Sequence, residues 1–339
     1  MNDSKILYGG LAALGRELAT GRWEGAKYVI LLDENTFQHC LPLLISKVEP
    51  LQEAEFIEVP VGEEAKSLEV AAQVWQTLLE EDADRSMVLV NLGGGCVSDL
   101  GGFLAAGYKR GLRHINVPTS LLAMADAAIG GKTAIDFGGV KNSLGHFYQP
   151  ALVAIDTAFL ATLPEAEILN GAFEMVKTAA VTDPVLYKGL ISTDHLPARA
   201  VKEVARIKAR VVKADPLDRS IRHILNFGHT FGHAIEVHSR LPHGVAVGIG
   251  MKAAMYLSVK KMNLAEAIYN EYSAWLAGRV EVPAYSLRDI EAMLPLMHND
   301  KKNAGDGISC VLLQEPGAPA IDVTVSDHEV RDTFLKLNR

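Results

Sequence analysis

A chain of 339 residues, 49% hydrophobic and with a formal net charge of −8, can bury sizeable cores, and its length favours two domains over one. No apolar run reaches the ~18 residues of a membrane helix, and the acidic balance argues against general binding to nucleic acid or anionic membranes. The opening Met1 to Lys5 lacks the apolar core of a secretory signal. The three cysteines, Cys40, Cys96 and Cys310, form neither a zinc pattern nor a disulfide framework, so a cytoplasmic location is expected.

Short apolar runs at 28–32, 56–59, 87–91, 115–117 and 152–155 read as buried strands. Helix-period stretches, such as 68–79 and 119–129, lie between most of them. This alternation predicts a mostly parallel sheet with helices on its faces and ligands at the carboxyl ends of the strands. Two of those ends carry chemistry. The run 28–32 ends in Asp33-Glu34-Asn35, where a carboxylate can accept hydrogen bonds from ribose hydroxyls. The run 87–91 leads into Gly93-Gly94-Gly95, a turn that lets backbone N–H groups approach a pyrophosphate at a helix N-terminus. Ser98 occupies the third glycine position of a full G-x-G-x-x-G, so an ordinary tight turn is the competing reading.

From Gly101 to Pro150 the chain is dense in glycine and holds Tyr108 to Gly111, Asp126 to Thr133 and Lys141-Asn142. Gly130-Gly131-Lys132-Thr133 looks like the end of a Walker loop. Ala125 and Asp126 stand where its first glycine belongs, which excludes an ATPase reading. Arg110, Lys132, Lys141, Lys177, Arg222, Lys301 and Lys302 gather in the glycine-rich segments. In an acidic chain that concentration points to a small polyanion, against the alternative of solvated surface cations.

After Leu163-Pro164 helical periodicity dominates to about Leu294, with strong helix formers in 201–213. A domain boundary is therefore expected near 163, with an α/β domain at 1–163 and a mainly α-helical domain at 164–339. Apolar runs at 308–313 and 320–325 flank Pro316-Gly317 and predict a small hairpin.

Four of the eleven histidines fall between Asn226 and Met251: His229, His233, His238 and His243. His229 and His233 share one face of a helix, and His243 follows the break at Leu241-Pro242. Three imidazoles converging there can form a metal site, and hydrogen-bonded core or surface histidines are the alternative. The neighbouring Gly228, Gly232 and Gly244 indicate close approach of backbone or ligand. Glu174 adds a carboxylate. With two histidines it makes a three-ligand set with an open position, as in catalytic zinc. Lys177, three residues on, offers the plainer reading of a helix ion pair.

Taken together, these segments resemble the 3-dehydroquinate synthase family of sugar-phosphate cyclases, relatives of the iron-type alcohol and glycerol dehydrogenases. The resemblance runs from about Asp33 to Lys302. It rests on Gly93 to Gly95 with Asp99, Tyr108 to Gly111, Val117-Pro118-Thr119, Asp126 to Thr133, Lys141-Asn142, Glu174 with Lys177, Asn226 to Glu236, His243-Gly244 and Asp300 to Asn303. It implies an α/β N-terminal domain whose mostly parallel sheet binds NAD, followed by a mainly α-helical domain that binds metal and substrate. Glu174, His229 and His243 would hold zinc or cobalt, and His233 would face the substrate. NAD would meet Asp33, Asn35, Glu63, Lys66, Gly94, Gly95, Asp99, Thr119, Ser120, Thr162 and Glu167, with Lys132 and Lys141 also in reach. Substrate contacts would come from Arg110, Asp126, Lys132, Lys141, Asn142, Lys177, Lys208, Arg222, Asn226, His233 and Lys301.

The implied reaction takes the seven-carbon sugar-acid phosphate DAHP to 3-dehydroquinate and phosphate in the shikimate pathway. It runs through transient oxidation at C5 by NAD, phosphate elimination, re-reduction, ring opening and aldol closure. A homodimer is also implied. The chain departs from the family pattern at Asp215 to Ser220, at Val245, and at Cys96 and Gly102 beside the glycine turn. The competing activities are another sugar-phosphate cyclase and a polyol dehydrogenase of the glycerol type. Neither has use for a carboxylate clamp of Lys208, Arg222 and Asn226.

Overall fold

The computed structural model describes residues 4–193, 196–298 and 307–337. Lys301, an expected substrate contact, and Asp300, Lys302 and Asn303 of the family pattern lie outside them. The chain divides into two compact units, Met1–Ile168 with Val201–Leu217, and Leu169–Ala200 with Asp218–Arg339.

The first unit contains β1 (Lys5–Leu7), α1 (Gly10–Leu18), β2 (Tyr28–Asp33), α2 (Glu34–His39), α3 (Leu41–Lys47), β3 (Glu55–Val59), α4 (Leu68–Glu80), β4 (Val88–Gly93), α5 (Gly95–Gly107), β5 (Arg113–Pro118), β6 (Lys132–Phe137), β7 (Val140–Phe147) and β8 (Leu152–Ala154). Six strands form one parallel sheet in the order β1-β8-β5-β4-β2-β3. The apolar runs become strands because both faces of the sheet are covered. All six residues of β4 are buried, and Val29, Leu31, Val59, Leu89, Leu100 and Leu104 share one core. From β2 the chain moves outward to β3, and from β4 it moves the other way to β5. The switch in direction opens a crevice beyond the carboxyl ends of β2 and β4, where such sheets bind their ligands.

The remaining pair, β6 and β7, forms a separate antiparallel hairpin that the sequence reading does not contain. β7 is mostly exposed and has no buried apolar run to announce it. The helix expected over 119–129 shrinks to a short turn with π spacing at Ala123–Ala127. Gly130 and Gly131, both at positive φ, follow it.

In the second unit follow most of α6 (Glu165–Thr182), α7 (Pro184–Ile191), α9 (His229–Ser239), α10 (His243–Met262), α11 (Glu266–Ala277), α12 (Leu287–His298), the antiparallel hairpin of β9 (Ile308–Glu315) and β10 (Ala318–Val325), and α13 (Asp327–Leu337). Between α7 and α9 in sequence, α8 (Ala198–Ala214) has nearly all its length in the first unit. Buried positions surround most of α10, as its near-continuous apolar sequence requires, so it is the central helix of this unit. Tyr272 Oη donates to the Gly248 carbonyl at 2.8 Å, and the Leu313 amide donates to Ser258 Oγ at 2.9 Å, fixing α11 and β9 to it.

The single cut expected at 163 is therefore replaced by a crossing inside α6 and a return of 201–217 to the first unit. The return has a local cause. Val201, Val204, Ala205, Ile207 and Val212 give α8 a buried apolar face, and Lys208 on the same helix pairs with Asp126 of the first unit. No helix among the described residues is long and apolar enough to cross a membrane.

Candidate active site

Two clusters of expected functional residues emerge, one in each unit. In the first unit, the turn after β4 makes Gly94 the N-cap of α5, so the free N–H groups of the first helical turn open at the crevice. The Thr119 amide donates to the Gly93 carbonyl at 3.0 Å, which places Thr119 and Ser120 beside that turn. Asp33 ends β2 but is also the N-cap of α2. Its Oδ1 accepts from the Thr36 amide at 2.9 Å, and its backbone amide donates to Thr36 Oγ1 at 2.9 Å. Asn35, one residue inside that helix, is exposed. Thr162 donates to the Phe159 carbonyl at 3.3 Å, and the Glu167 amide donates to the Pro164 carbonyl at 2.9 Å.

Lys66 is the hub of this cluster. Buried at 3% exposure, its Nζ donates to Asp99 Oδ2 at 2.9 Å, lies 3.8 Å from Glu63, and also donates to Asn142 Oδ1. Burial pulls the ammonium down, but Asp99 and Glu63 carry it above its ordinary value. Burial also pushes the Asp99 carboxyl up to about 6, against the pull of Lys66. Cys96 donates to Glu63 at 3.7 Å, and burial drives its thiol up to about 12, so it is not a nucleophile here. The structure thus groups Asn142, expected at the substrate, with residues expected at NAD. Asp136, outside the expected set, accepts from the Asn142 amide at 2.7 Å and holds that residue at a φ of 52°.

The phosphate cations are less concentrated than their sequence clustering suggests. Lys132 opens β6 opposite Phe147, whereas Lys141 lies near the turn end of the same hairpin. Arg110 lies on the turn after α5 at a φ of 66°, beside an open depression lined by Asp84, Arg85, Ser86 and Lys109, with no other expected substrate residue on its walls. Asp126 and Lys208, far apart in sequence, do meet: Lys208 Nζ donates to Asp126 Oδ1 at 2.5 Å.

The second unit carries the metal candidates. Gly228, at a φ of 79°, is the N-cap of α9 in the left-handed region where glycine is the favoured residue. It starts the helix so that His229 and His233 stand one turn apart, their ring centres 5.1 Å from each other. His243 is the first residue of α10. Its place is fixed by Gly244, whose amide donates to Asn170 Oδ1 at 2.5 Å and where a Cβ would collide with the Asn170 backbone carbonyl.

Glu174 on α6 is 1% exposed and faces both histidines. Its Oε1 lies 3.7 Å from His229 Nε2 and 3.4 Å from His243 Nε2. Ligand atoms on a tetrahedral zinc with bonds of about 2.05 Å stand roughly 3.3 Å apart, so this set needs little rearrangement to hold the ion. Among the described residues, Glu174, His229 and His243 are the one group of at least three such side chains with donor atoms mutually within 4.8 Å. Oε1 is buried without a hydrogen-bond partner among the described residues, while Oε2 accepts from buried Lys177. The two geometries posed as alternatives by the sequence, a carboxylate oxygen facing two imidazoles and a helix ion pair, share one carboxylate.

Burial would raise the Glu174 carboxyl, but Lys177 and the two imidazoles hold it well below its ordinary value. Burial and Lys177 keep His229 far below the usual imidazole range, hence neutral and able to ligate. Burial opposes protonation of His243 too, yet Glu174 and Glu236 carry it up to about 9. His233 lies within 5.8 Å of the His243 ring, centre to centre, and its side chain is exposed. Arg222 is 3% exposed, and Asn226 Nδ2 is buried with no acceptor among the described residues. Glu236, outside the expected set, lies 2.9 Å from His243 Nδ1. It stands two turns after His229 on the same face of α9, and that spacing is the sequence signal for it.

The family profile for the 3-dehydroquinate synthase N-terminal region matches residues 56–170, and that for its C-terminal region matches 171–303. The chain belongs to the 3-dehydroquinate synthase family. The two profiles meet inside α6, close to the crossing between the compact units. A 3-dehydroquinate synthase of Parabacteroides distasonis is 37% identical over 320 residues, covering 91% of this chain and 90% of that protein. One from Dehalococcoides mccartyi is 42% identical over 280 residues, covering 78% and 77%. Among solved structures, 2-epi-5-epi-valiolone synthase from Streptomyces hygroscopicus, with NAD+ and Zn2+ bound, superposes with a TM-score of 0.84. It is 24% identical, covers 99% of this chain and 96% of its own, and establishes the shared fold.

Proposed function

We propose that this chain converts DAHP to 3-dehydroquinate and phosphate with NAD and a zinc or cobalt ion. One observation carries the metal assignment: a buried carboxylate oxygen without a hydrogen bond, facing two imidazole nitrogens at close to ligand spacing. Bound there, the ion would acidify the substrate hydroxyls of the carbon to be oxidised. NAD, with its pyrophosphate at the α5 N-terminus, would accept the hydride and return it.

The chain's own residues supply the rest. His233 and Lys177, next to the metal set, would carry protons. Arg222 can bind the substrate carboxylate bidentately while Asn226 Nδ2 donates to it. In the first unit, Lys132, Lys141 and Asn142 are the donors suited to the phosphate, Arg110, on its separate depression, is assigned to it by the family resemblance alone, and Lys208 with Asp126 forms a further polar contact point. Asp33, Asn35, Glu63, Lys66, Gly94, Gly95, Asp99, Thr119, Ser120, Thr162 and Glu167 would surround NAD. Arg222 and Asn226 favour this reading over a polyol dehydrogenase, whose substrate has no carboxylate to clamp. The assembly we propose is a symmetric homodimer in the cytoplasm.

Oxidation that is temporary leaves a distinct signature. Turnover should release one phosphate per DAHP with no net accumulation of NADH, followed in one cuvette with catalytic NAD. NADH rising in step with product would overturn the proposal, as would phosphate release by protein stripped of NAD.

A further inference from the structure

Glu236 has no role in the chemistry derived so far, yet its carboxylate reaches from α9 to the first residue of α10. Glu236 Oε2 lies 2.9 Å from His243 Nδ1, and the opposite ring nitrogen, Nε2, lies 3.4 Å from Glu174 Oε1. A carboxylate at Nδ1 fixes a proton there, makes Nε2 the nitrogen whose lone pair is free once an ion takes the place of its proton, and sets the plane of the ring. His229 is held differently. Its Nδ1 is 3.4 Å from the Phe227 carbonyl, a long contact to a neutral acceptor. The two imidazoles of the set are therefore unequal: among the described residues, only His243 has a carboxylate at its Nδ1.

The placement on the chain adds to this. His229, His233 and Glu236 occupy one face of α9, and His243 follows after the turn at Arg240 to Pro242. Glu236 thus ties the helix carrying one ligand to the helix that begins with the other. Its carboxylate is half-buried, so the bond is partly shielded from water.

We propose that Glu236 is the positioning residue for His243: it orients the imidazole and raises its basicity toward the ion, and so sets the affinity of the site for zinc and cobalt. This rests on the metal assignment above. Outer partners of this kind are worth about 10–100-fold in metal affinity.

Two substitutions separate its two contributions. Glu236→Gln retains an oxygen that accepts from Nδ1–H but removes the charge. Glu236→Ala removes both. Zinc affinity, measured by competition with a chromophoric chelator, should fall about tenfold in the first and toward 100-fold in the second. Cobalt(II) loaded into each folded variant should show visible absorption bands displaced from those of the wild type. The melting temperature of the metal-free proteins should stay close to the wild-type value, a result that a purely structural role would not give. Unchanged zinc affinity and an unchanged cobalt spectrum in Glu236→Gln and Glu236→Ala would overturn the inference. If only Glu236→Gln folds, its affinity and spectrum decide alone. His243→Ala serves as the control. If it loses zinc while the Glu236 variants bind normally, only the role of Glu236 fails. If it binds zinc like the wild type, the ligand assignment itself fails.

Discussion

The two oxygens of Glu174 do different work: Oε2 accepts from Lys177, and Oε1 points at two imidazole nitrogens. Removing the charge therefore has two consequences. Glu174→Gln should abolish tight zinc binding, and it should also take from the Lys177 ammonium, buried at 1% exposure, the carboxylate it donates to. Breaking a buried pair in this way costs about 3–5 kcal/mol. Urea unfolding of the metal-free protein should show that loss, and a Glu174→Gln/Lys177→Met double variant should recover part of it. A metal-free Glu174→Gln protein as stable as wild type would mean that the pair is not coupled as the geometry shows. His114, away from the metal, behaves in the opposite sense. It is 1% exposed, stacks on Tyr148, and has no hydrogen-bond partner at either ring nitrogen among the described residues. Burial drops its pKa from 6.5 to about 3. Above pH 6.5 the ring is neutral in both folded and unfolded chains, so it adds no pH dependence. Below 6.5 only the unfolded chain takes the proton, and stability falls until about pH 3. Between pH 7 and 4.5 this amounts to about 3 kcal/mol. His114→Phe should flatten the stability profile over that interval by a similar amount. An unaltered acid slope would show that the ring finds a partner when protonated.

At the scale of elements, the strands β2, β4 and β5 were legible because each is an apolar run buried on both faces, the mostly exposed edge strand β3 from the apolar residues its run keeps, and α4 and the terminal hairpin from period and turn residues. β6 and β7 were not: β6 buries only Thr133 and Ile135, too short a pattern to stand out, and β7 is mostly exposed. In the candidate site the metal set rested on the family resemblance. Spacing alone favours His229 with His233, and nothing local reveals that Glu174 on α6 faces His229 and His243 instead. The glycines had a readable meaning, close backbone approach, and Gly244 is its clearest case. Adding a methyl there forces α10 away from the Asn170 carbonyl, at the roughly 1–3 kcal/mol typical of overpacking. Because His243 precedes Gly244, the shift moves a ligand. Gly244→Ala should thus lower the melting temperature and weaken zinc binding together. A loss of stability with normal zinc affinity would show that the start of α10 yields without moving the imidazole.

On the scale of the whole chain, the proposed ligand sets divide by unit. Glu174, His229 and His243 lie in the second unit, whereas the glycine turn, Lys66, Asp99, Thr119 and Ser120 lie in the first. The chain passes between the units at 168/169, 200/201 and 217/218, so neither domain is a simple half of the sequence. A ligand stabilises the unit whose folded form it needs, by about 2.7 kcal/mol at a hundredfold excess over its Kd. Exchange of amides that open with that unit should slow by about 100-fold, because opening requires release of the ligand. Zinc added alone to metal-free protein should therefore protect α6 beyond Ile168, α9 and the start of α10. NAD added alone should protect β4, the start of α5 and the end of β5. Hydrogen–deuterium exchange read by mass spectrometry resolves these peptides. The helix α6 is the informative one, since it is continuous across the 168/169 crossing. If zinc protects β4 and β5 as strongly as α9, the two units open as one cooperative block, and the division of ligand sets has no counterpart in stability. If the footprints stay apart and meet only along α6, that helix is the element through which the binding of one ligand can be felt by the other.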